Sequence, residues 1–358
     1  MRFIRLLLFP FSLIYGLVVL LRNTAFNLGI FRSVKFSVPV ISIGNLAVGG
    51  AGKSPMTEYL VALLKEDYKI ATLSRGYGRK TSGFGLVNPS STASEVGDEP
   101  LQFKQKFPDI TVAVCEKRVE GIGRLQPDHE LIVLDDAYQH RAVKPGLSLL
   151  LFDYNSLFNF QFLLPTGDLR EPLNGRRRAD IIVVTKCPEN LDEDSRNRIL
   201  QQVAPYPHQQ VFFSYLAYGN LQALDHQYPE RSLNSLLPDT EVILLTGIAN
   251  AEPLLAEIRK YTSRIDHHHY PDHHQFSKKN IAKLVSAYQE AGVNKLIITT
   301  QKDAQRLKEP FIQELLSGLP VYYLPVKAEI SPADVSRFNH LIKTYAKVYT
   351  TNRRLYKA

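Results

Sequence analysis

The sequence contains few cysteines and no tryptophan. Its two cysteines, Cys115 and Cys187, lie far apart in the chain, which excludes a disulfide scaffold and a four-cysteine zinc site. This cysteine usage is typical of a protein in the reducing cytosol. A disordered chain is also excluded, because 44% of the 358 residues are apolar and only 22% are charged. The length predicts about two folded domains.

Acidic residues are absent from both ends of the chain. Residues 1–57 contain six basic residues and no acid, and residues 337–358 contain a further six without an acid. The chain has 43 basic and 35 acidic residues, so the middle retains 31 basic and 35 acidic residues, a balance of −4. A nucleic-acid-binding protein with a continuous basic stripe is therefore not expected. We expect the two ends to contact an anionic membrane surface.

One long apolar segment, residues 3–21, reads FIRLLLFPFSLIYGLVVLL. Its length approaches that of a membrane-spanning helix, but Arg5, Pro10 and Gly16 interrupt it. No small-residue cleavage site follows it, which disfavours a signal peptide. With basic residues at both flanks, residues 1–25 are predicted to form a helix lying in the membrane interface. A spanning helix and a buried core helix remain the alternatives.

Short β-branched apolar runs alternate with helical stretches along most of the chain. Strands are expected at residues 35–43, 69–73, 110–114, 131–134, 148–152 and 180–185. Several of these runs are continuously apolar, which is typical of parallel strands covered on both faces. We therefore predict a doubly wound parallel α/β sheet, like that of P-loop NTPases, at residues 26–212.

A smaller α/β lobe is predicted at residues 213–335. After a β-rich connector near residues 211–239, strands are expected at 241–246, 295–299 and 321–324, with a helix at 252–261. The basic segment 336–358 is predicted to form a closing helix.

The loop between the first predicted strand and the first predicted helix carries a phosphate-binding motif. It reads GNLAVGGAGKSP, and its second half matches the P-loop pattern, although Ala47 stands where a glycine is usual. Glycines let backbone N–H groups approach phosphate oxygens, Lys53 offers positive charge, and the Ser54 hydroxyl can ligate Mg²⁺. The candidate nucleotide-binding residues are Gly49, Gly50, Ala51, Gly52, Lys53, Ser54 and Pro55. A glycine-rich turn without a nucleotide is the alternative.

Paired carboxylates end the strongest predicted strand, which reads LIVLDD at residues 131–136. A magnesium-binding strand beside a phosphate loop requires this pattern, so Asp135 and Asp136 are candidate Mg²⁺ ligands. Either aspartate alone could instead cap a helix.

A histidine-rich tract, HHHYPDHH, occupies residues 267–274. Clustered histidines can bind zinc or nickel, but successive side chains of a strand point to opposite faces and cannot all reach one ion. A P-loop GTPase or metallochaperone that uses this tract is the alternative function. It is disfavoured because Pro188 stands where the guanine-reading aspartate would follow Thr185 and Lys186.

Six motifs occur in order along the chain: GNLAVGGAGKSP, SRGYGRK, EVGDEP, LDDAYQH, LREP and PDHHQF. Together they resemble the tetraacyldisaccharide 4'-kinase family of lipid A biosynthesis, from the apolar N-terminal segment to residues 300–303. The resemblance implies transfer of the γ-phosphate of ATP, with Mg²⁺, to the 4'-hydroxyl of a tetraacylated glucosamine disaccharide 1-phosphate. It also implies a monotopic enzyme on the cytoplasmic face of the inner membrane, whose active site lies between two lobes. No motif indicates nucleic acid or an obligate protein partner.

The resemblance further implies roles for Asp98 and His273, which lie far apart in the sequence. Asp98 matches the catalytic carboxylate of the family and His273 matches its histidine partner. A sugar hydroxyl is a poor nucleophile, so a carboxylate that accepts or orients its proton suits the reaction. Without the resemblance, Asp98 would be interpreted as a turn residue.

The same resemblance implies that Arg170 stabilises the transferring phosphoryl group and that Glu171 joins the Mg²⁺ site with Ser54. An adjacent Arg-Glu pair is also common as a solvated salt bridge. Arg75 and Arg79 are candidate contacts for a substrate phosphate or for the nucleotide, or simply part of a basic surface loop.

Overall fold

The computed structural model describes residues 5–159, 161–225 and 227–357, with side chains through residue 350. These residues form fourteen strands, which are divided between two sheets. The larger sheet contains β1 (Val40–Asn45), β2 (Ile70–Ser74), β3 (Gly85–Leu86), β4 (Thr111–Val114), β5 (Leu131–Leu134), β6 (Leu147–Asp153), β7 (Ile181–Thr185), β8 (Gln210–Tyr218) and β14 (Val326–Ile330). The smaller sheet contains β9 (Gln222–Ala223), β10 (Glu241–Thr246), β11 (Ile265–His269), β12 (Lys295–Thr300) and β13 (Val321–Leu324).

Twelve α-helices accompany these strands in the described residues. They are α1 (Phe9–Asn27), α2 (Lys53–Leu64), α3 (Ala93–Val96), α4 (Asp98–Lys106), α5 (Arg118–Leu125), α6 (Tyr154–Leu157), α7 (Glu193–Val203), α8 (Glu252–Ile258), α9 (Lys278–Glu290), α10 (Gln301–Arg306), α11 (Pro310–Leu316) and α12 (Val335–Lys357). Short 3₁₀ helices cover Leu173–Arg178 and Leu233–Ser235.

The larger sheet has the strand order β14-β8-β7-β6-β1-β5-β2-β4-β3 and is parallel except for its two edge strands, β14 and β3. Successive side chains of β1 point to opposite faces. Ile41 and Ile43 pack in a core that includes α2 and α12, whereas Val40 packs in a core that includes α5. Both faces are therefore covered, which confirms the predicted doubly wound α/β sheet.

The parallel pairing of β1 with β5 determines where the phosphate loop lies. Val40, Ile41 and Ser42 pair in register with Ile132, Val133 and Leu134, so both strands end at the same edge of the sheet. The loop after β1 and the two aspartates after β5 therefore emerge side by side. This edge is where ligands bind in open parallel sheets.

The chain is divided between the two lobes differently from the prediction. A boundary between residues 212 and 213 would cut through β8, which belongs to the larger sheet. The chain also returns to that sheet at β14, and α12 packs on its core. The small lobe is thus an insertion between β8 and β14. Sequence patterns missed this because β8 has a partly exposed, irregular burial pattern and because its neighbour β14 comes only after the whole small lobe.

The small lobe has its own five-stranded sheet, ordered β11-β10-β12-β13-β9, in which only β9 is antiparallel. Apolar residues of β10 and β12 pack on both sides, with α8 on one face and with α9 and α11 on the other. The strands predicted at 241–246, 295–299 and 321–324 are present within one residue of those bounds.

Helix α1 lies on the surface with its polar side toward the protein. Ser12 Oγ donates to the carbonyl of Leu163 at 3.0 Å, and Tyr15 Oη donates to the carbonyl of Arg170 at 2.9 Å. Leucine, isoleucine, valine and phenylalanine side chains on the remaining faces are largely exposed. Only 11% of the most apolar stretch of this helix is buried, so α1 is not a core helix. Its length and composition are sufficient to cross a membrane. Residues 1–4 of the predicted 1–25 helix lie outside the described residues.

Candidate active site

The phosphate loop is fixed to neighbouring segments by backbone contacts. Val48 N donates to the carbonyl of Asp168 at 2.7 Å, and Thr185 Oγ1 donates to the carbonyl of Ala51 at 2.9 Å. Gly52, which immediately precedes α2, has φ of +76°, a conformation that favours glycine. Ala47 instead forms a bridge with Leu169 in extended backbone, so this position does not require a glycine.

Lys53, Asp136 and Arg170 meet at the edge of the loop. Lys53 Nζ lies 3.7 Å from Asp136 Oδ1, and the Arg170 guanidinium donates to both Asp136 oxygens, at 2.9 and 3.2 Å. Burial alone would raise the pKa of Asp136, but Lys53 and Arg170 together lower it. The structure therefore brings together three of the predicted site residues, and Asp136 is an ionised carboxylate between two cations.

Asp135 has a different environment from its neighbour. Its Oδ1 accepts a hydrogen bond from Thr57 Oγ1 at 3.1 Å, and no ion pair of the described chain includes it. Burial, with the nearby carboxylates of Glu99 and Asp136, raises the pKa of Asp135 well above its usual range. A buried carboxylate without an ion-pair partner suits a bound cation.

The oxygen atoms of Ser54, Asp135 and Asp136 fit the donor set of a magnesium site beside the loop, since Mg²⁺ prefers oxygen ligands. Few protein ligands are needed, because Mg²⁺ usually retains several waters and binds substrate phosphates.

Glu171, the fourth predicted magnesium ligand, has other partners in this structure. Its Oε1 accepts hydrogen bonds from Arg178 at 2.7 Å and Gln139 at 3.0 Å, and its Oε2 accepts one from Asn23 of α1 at 3.2 Å. Its carboxylate is therefore buried, fully occupied and joined to α1. Because adjacent loop residues point in different directions, Arg170 faces the loop while Glu171 faces away. The expectation that Glu171 joins the Mg²⁺ site stays a prediction, and in this structure its carboxylate instead holds Arg178, Gln139 and α1 together.

Asp98 and His273 meet across the two lobes. Asp98 is buried at the start of α4 in the large lobe, and its Oδ2 lies 3.2 Å from Nδ1 of His273 in the small lobe. The His273 ring packs against Tyr77 in a tilted arrangement, with centroids 4.8 Å apart. His273 has φ of +59°, and its backbone N–H donates to the carbonyl of Gly247 at 3.1 Å. The structure thus places the two residues together, as the resemblance implied.

Two further cations contact the same carboxylate. The Arg306 guanidinium forms an ion pair with Asp98 Oδ2, and Lys302 Nζ lies 4.0 Å from that oxygen. Burial would raise the pKa of Asp98, but the hydrogen bond from His273 and the charges of Lys302 and Arg306 hold it well below its usual range. Asp98 is therefore ionised at neutral pH.

The sequence reasoning missed both cations. From the sequence, residues 300–303 marked only the end of the family resemblance. A usable signal was present, since a threonine followed three residues later by an aspartate at the end of an apolar strand marks a helix N-terminus. Thr300 does cap α10, accepting from Asp303 N at 3.0 Å, and α10 carries Lys302 and Arg306 to Asp98.

Basic residues form one wall of the cleft near α1. Arg22, Arg75, Arg118 and His140 all line it. Burial lowers the pKa of Arg118 to about 10, and burial together with Arg118, Arg22 and Arg75 lowers the pKa of His140 to about 4. None of the three arginines forms an ion pair among the described residues, so this wall carries a positive charge. The other candidate arginine, Arg79, does not line the cleft itself and forms an ion pair with Glu116, which does.

These groups open onto one cleft of about 810 Å³ between the lobes. The large lobe supplies the phosphate loop, Asp98, Asp135, Asp136 and Arg170, and the small lobe supplies His273, Thr300 and Lys302.

The histidine tract does not form a metal site in the described part of the chain, where no group of three or more His, Cys, Asp or Glu side chains is arranged to hold one. His267 Nε2 and His269 Nδ1 both contact Thr246 Oγ1, at 2.8 and 3.3 Å. His268 lies on the opposite face and pairs with Asp266 at 3.1 Å. The side chains alternate as expected for a strand.

A phosphate loop after a central parallel strand, paired aspartates after the neighbouring strand and a covered α/β sheet define a P-loop protein with a nucleotide-dependent phosphotransfer site. The family can be named more closely. A family model for tetraacyldisaccharide-1-P 4'-kinase matches residues 4–346, and the chain belongs to this family of kinases. The alternative of a GTPase or metallochaperone is not favoured.

Individual relatives match over nearly their whole length. The chain is 46% identical to tetraacyldisaccharide 4'-kinase of Bacteroides thetaiotaomicron, covering 96% of this chain and 94% of the relative. It is 44% identical to the enzyme of that name from Flavobacterium psychrophilum, covering 98% and 100%. The crystal structure of LpxK from Aquifex aeolicus in complex with ATP aligns with a TM-score of 0.72 and 27% identity, covering 96% of this chain and 99% of that one.

Proposed function

We propose that this protein transfers the γ-phosphate of ATP to the 4'-hydroxyl of a tetraacylated glucosamine disaccharide 1-phosphate, the lipid A precursor. The observation that carries the proposal is that the phosphate loop and the Asp98–His273 pair open onto a single cleft. Nucleotide phosphates at the loop and a hydroxyl beside Asp98 would thus face each other. Family membership and the likeness to an ATP-bound structure support the same reaction.

On the nucleotide side, the backbone N–H groups of the loop and Lys53 hold the phosphates of ATP. Arg170 lies beside Lys53 and Asp136, where its guanidinium stabilises charge that develops on the transferring phosphoryl group. Mg²⁺ bound by Ser54 with Asp135 and Asp136 would neutralise charge on the phosphate oxygens.

On the acceptor side, Asp98 orients the attacking hydroxyl by accepting its hydrogen bond. A bond forms between the sugar oxygen and the γ-phosphorus as the bond from that phosphorus to the β–γ bridging oxygen breaks, and ADP leaves. The hydroxyl proton passes to the Asp98 carboxylate. His273 is hydrogen-bonded to that carboxylate through Nδ1, and it tunes the basicity of the carboxylate or relays the proton. Because Asp98 is held ionised, it is ready to accept the proton before the reaction begins.

The basic wall of the cleft suits the other end of the acceptor. Arg22, Arg75 and Arg118 are positioned to bind the acceptor's own 1-phosphate, because their charge has no carboxylate partner among the described ion pairs. Arg22 belongs to α1, so the phosphate would bind next to the apolar helix. Acyl chains could then remain in the membrane while the sugar enters the cleft.

Helix α1 would place the enzyme on the membrane surface. Its apolar side chains are exposed, and its polar side is hydrogen-bonded to the protein, which favours an interfacial orientation. Arg22, Arg32 and Lys35 follow the apolar segment and suit the anionic cytoplasmic face of the inner membrane. Of the basic C-terminal residues, the side chains of Arg353, Arg354 and Lys357 lie outside the described residues.

The experiment is a kinase assay with purified protein in detergent, γ-labelled ATP, Mg²⁺ and the tetraacylated disaccharide 1-phosphate. The expected result is a labelled lipid that depends on all three components. An absence of labelled lipid, in protein that still binds ATP, would contradict the proposal and favour a membrane-docked nucleotide-binding scaffold without catalysis.

A further inference from the structure

A second cavity, of about 760 Å³, lies outside the cleft described above. It is bounded by the end of α1 and the segment that follows, by the strands β1 and β6, and by Tyr349 of α12. His140 is the one site residue named above that lines both spaces. Neither the phosphate loop nor Asp98 reaches it, so the proposed phosphotransfer does not use this cavity.

The floor of the cavity is unusually polar for the face of a buried sheet. Ser42 of β1 and Ser148 of β6 are register partners and are only 3% and 6% exposed. Two residues away on the same face, Val40 and Leu150 belong to apolar cores. Neither serine hydroxyl makes a hydrogen bond within the described part of the chain, although both line the cavity. Two buried donors therefore face the space without a protein partner.

The walls of the cavity carry an excess of positive charge. They contain five cations and one carboxylate, namely Arg32, Lys35, Arg141, Lys144, Arg178 and Asp180. Arg178 pairs with Glu171, and Arg141 donates to the Asn23 carbonyl and the Asn27 side chain. Arg32 and Lys144 form no ion pair with any described residue. Cations around hydroxyl donors make a site for an anion with several acceptor oxygens, such as a phosphate group.

The position of the cavity indicates where that phosphate comes from. Leu28 and Ile30, in the turn that leads from α1 to the cavity wall, are 71% and 69% exposed. Phe31 is exposed in the same turn and lines the cavity. Apolar side chains beside a basic cavity match the boundary between acyl chains and headgroups. We propose that this cavity binds the phosphate headgroup of an anionic membrane lipid that is not the phosphoryl acceptor.

The site can be tested by calorimetric titration of the full-length protein in detergent. A non-hydrolysable ATP analogue with Mg²⁺ first occupies the nucleotide site, and dioctanoyl phosphatidylglycerol is then the probe. Saturable binding is expected, and Arg32→Gln/Lys144→Gln should weaken it tenfold or more. Ser42→Ala/Ser148→Ala should weaken it several-fold without removing a charge. Dioctanoylglycerol, which lacks a phosphate, should not bind saturably.

The matched control is Lys278→Gln/Lys279→Gln, which removes the same charge from exposed positions on α9 of the small lobe. It should leave the affinity for phosphatidylglycerol unchanged. Equal weakening by the control and by Arg32→Gln/Lys144→Gln would show general attraction and overturn the site, as would an absence of saturable binding.

Inorganic phosphate forms the second arm of the test, because a soluble phosphate has the same chemistry. Competition of phosphate with phosphatidylglycerol, lost in Arg32→Gln/Lys144→Gln, supports a shared headgroup site. Binding of phosphate alone, with no binding of the lipid, overturns the lipid assignment. Lipid kinase activity is measured in the same preparations, so failure of the proposed reaction is distinguished from failure of this site.

Discussion

Arg306 of the small lobe forms an ion pair with Asp98 of the large lobe, and this contact ties the position of the catalytic carboxylate to the arrangement of the lobes. The guanidinium is itself fixed, because its Nη1 donates to the Gly247 carbonyl at 3.0 Å and to Asp303 at 2.6 Å. Asp303 in turn accepts from Gly247 N at 2.9 Å. Arg306 is fully buried in this network, so it acts through Asp98 as a positioning residue.

The substitution Arg306→Gln should shift the acid limb of the pH profile of kcat to higher pH. The Arg306 charge helps to lower the pKa of Asp98, so its loss lets that pKa rise toward the ordinary value. Turnover requires the ionised carboxylate, and protonation will then begin at a higher pH. At neutral pH we expect kcat to fall about tenfold or more, with little change in KM for ATP. Arg306→Lys keeps a positive charge, so its acid limb should lie closer to that of the wild type than the acid limb of Arg306→Gln does.

A control for this experiment removes another polar contact between the lobes. Lys308 Nζ donates to the side chain of Gln105 at 2.7 Å, away from Asp98. Lys308→Gln should leave the acid limb where it is in the wild type. An unchanged profile in Arg306→Gln would remove Arg306 from any role in setting the ionisation of Asp98.

The residue at position 273 must satisfy a backbone requirement as well as a chemical one. With φ of +59°, His273 lies in the left-handed region, which asparagine tolerates better than alanine does. Both His273→Asn and His273→Ala should lower kcat on the order of a hundredfold, because both remove the ring that contacts Asp98. Only His273→Ala should also lower the free energy of unfolding, by about 1 kcal/mol.

Turnover and urea denaturation of the two variants separate these effects. His274 is a suitable control because its ring contacts Asn280 and stacks on Tyr270, not on the catalytic carboxylate. His274→Asn should therefore retain turnover. Wild-type turnover in His273→Asn would contradict a role for the imidazole ring in proton transfer.

The parts of the site that could be predicted from sequence are those whose chemistry lies in contiguous residues. The loop ending in Lys53 and Ser54, and the strand ending in Asp135 and Asp136, each carry their own signal, and parallel pairing then brings them together. Arg306 has no such signal, because a lone arginine on a short helix gains its role only when the small lobe packs against α4.

Glu171 shows the converse situation. Its neighbour Arg170 reaches Asp136, and proximity in sequence suggested a shared role. Loop side chains one residue apart diverge, however, and the contacts that occupy Glu171 come from Asn23, Gln139 and Arg178, which lie far from it in sequence or on a separate turn. The boundary of the large domain failed for a similar reason, because β14, which completes the large sheet by pairing with β8, lies beyond the whole small lobe.

Asp135→Asn and Glu171→Gln should have opposite signatures. Asparagine keeps the oxygen that accepts from Thr57 and removes a charge that burial disfavours, so Asp135→Asn should be as stable as the wild type, or more stable, without metal. Its half-saturating Mg²⁺ concentration for turnover should rise on the order of tenfold or more. Glu171→Gln should leave the Mg²⁺ requirement unchanged.

The cost of Glu171→Gln should appear in stability instead. Because this substitution removes the carboxylate that pairs with the Arg178 guanidinium, we expect a decrease of about 1–3 kcal/mol in the free energy of unfolding. Magnesium titrations of turnover and thermal unfolding of both variants provide the measurements. A raised Mg²⁺ requirement in Glu171→Gln, at unchanged stability, would instead show that Glu171 is a ligand of the metal.

Membrane attachment can be tested separately from folding, because one face of α1 docks on the protein and another face is exposed. Ser12 and Tyr15 dock the helix on the protein, whereas Leu13 and Leu17 are exposed. Leu13→Gln/Leu17→Gln should therefore leave thermal unfolding nearly unchanged and release the protein from vesicles in a flotation assay. Each leucine contributes about 1.5–3 kcal/mol when it is buried in an apolar phase, so losing two reduces membrane partitioning by at least two orders of magnitude.

The control is Val293→Gln, since this valine is fully exposed in the small lobe, remote in sequence from α1. Loss of one exposed apolar side chain there should not affect flotation. If Leu13→Gln/Leu17→Gln floats as well as the wild type, the apolar face of α1 is not the anchor. Attachment would then depend on basic residues, and raising the salt concentration should release that variant, because screening weakens attraction to anionic lipid but not the burial of leucine.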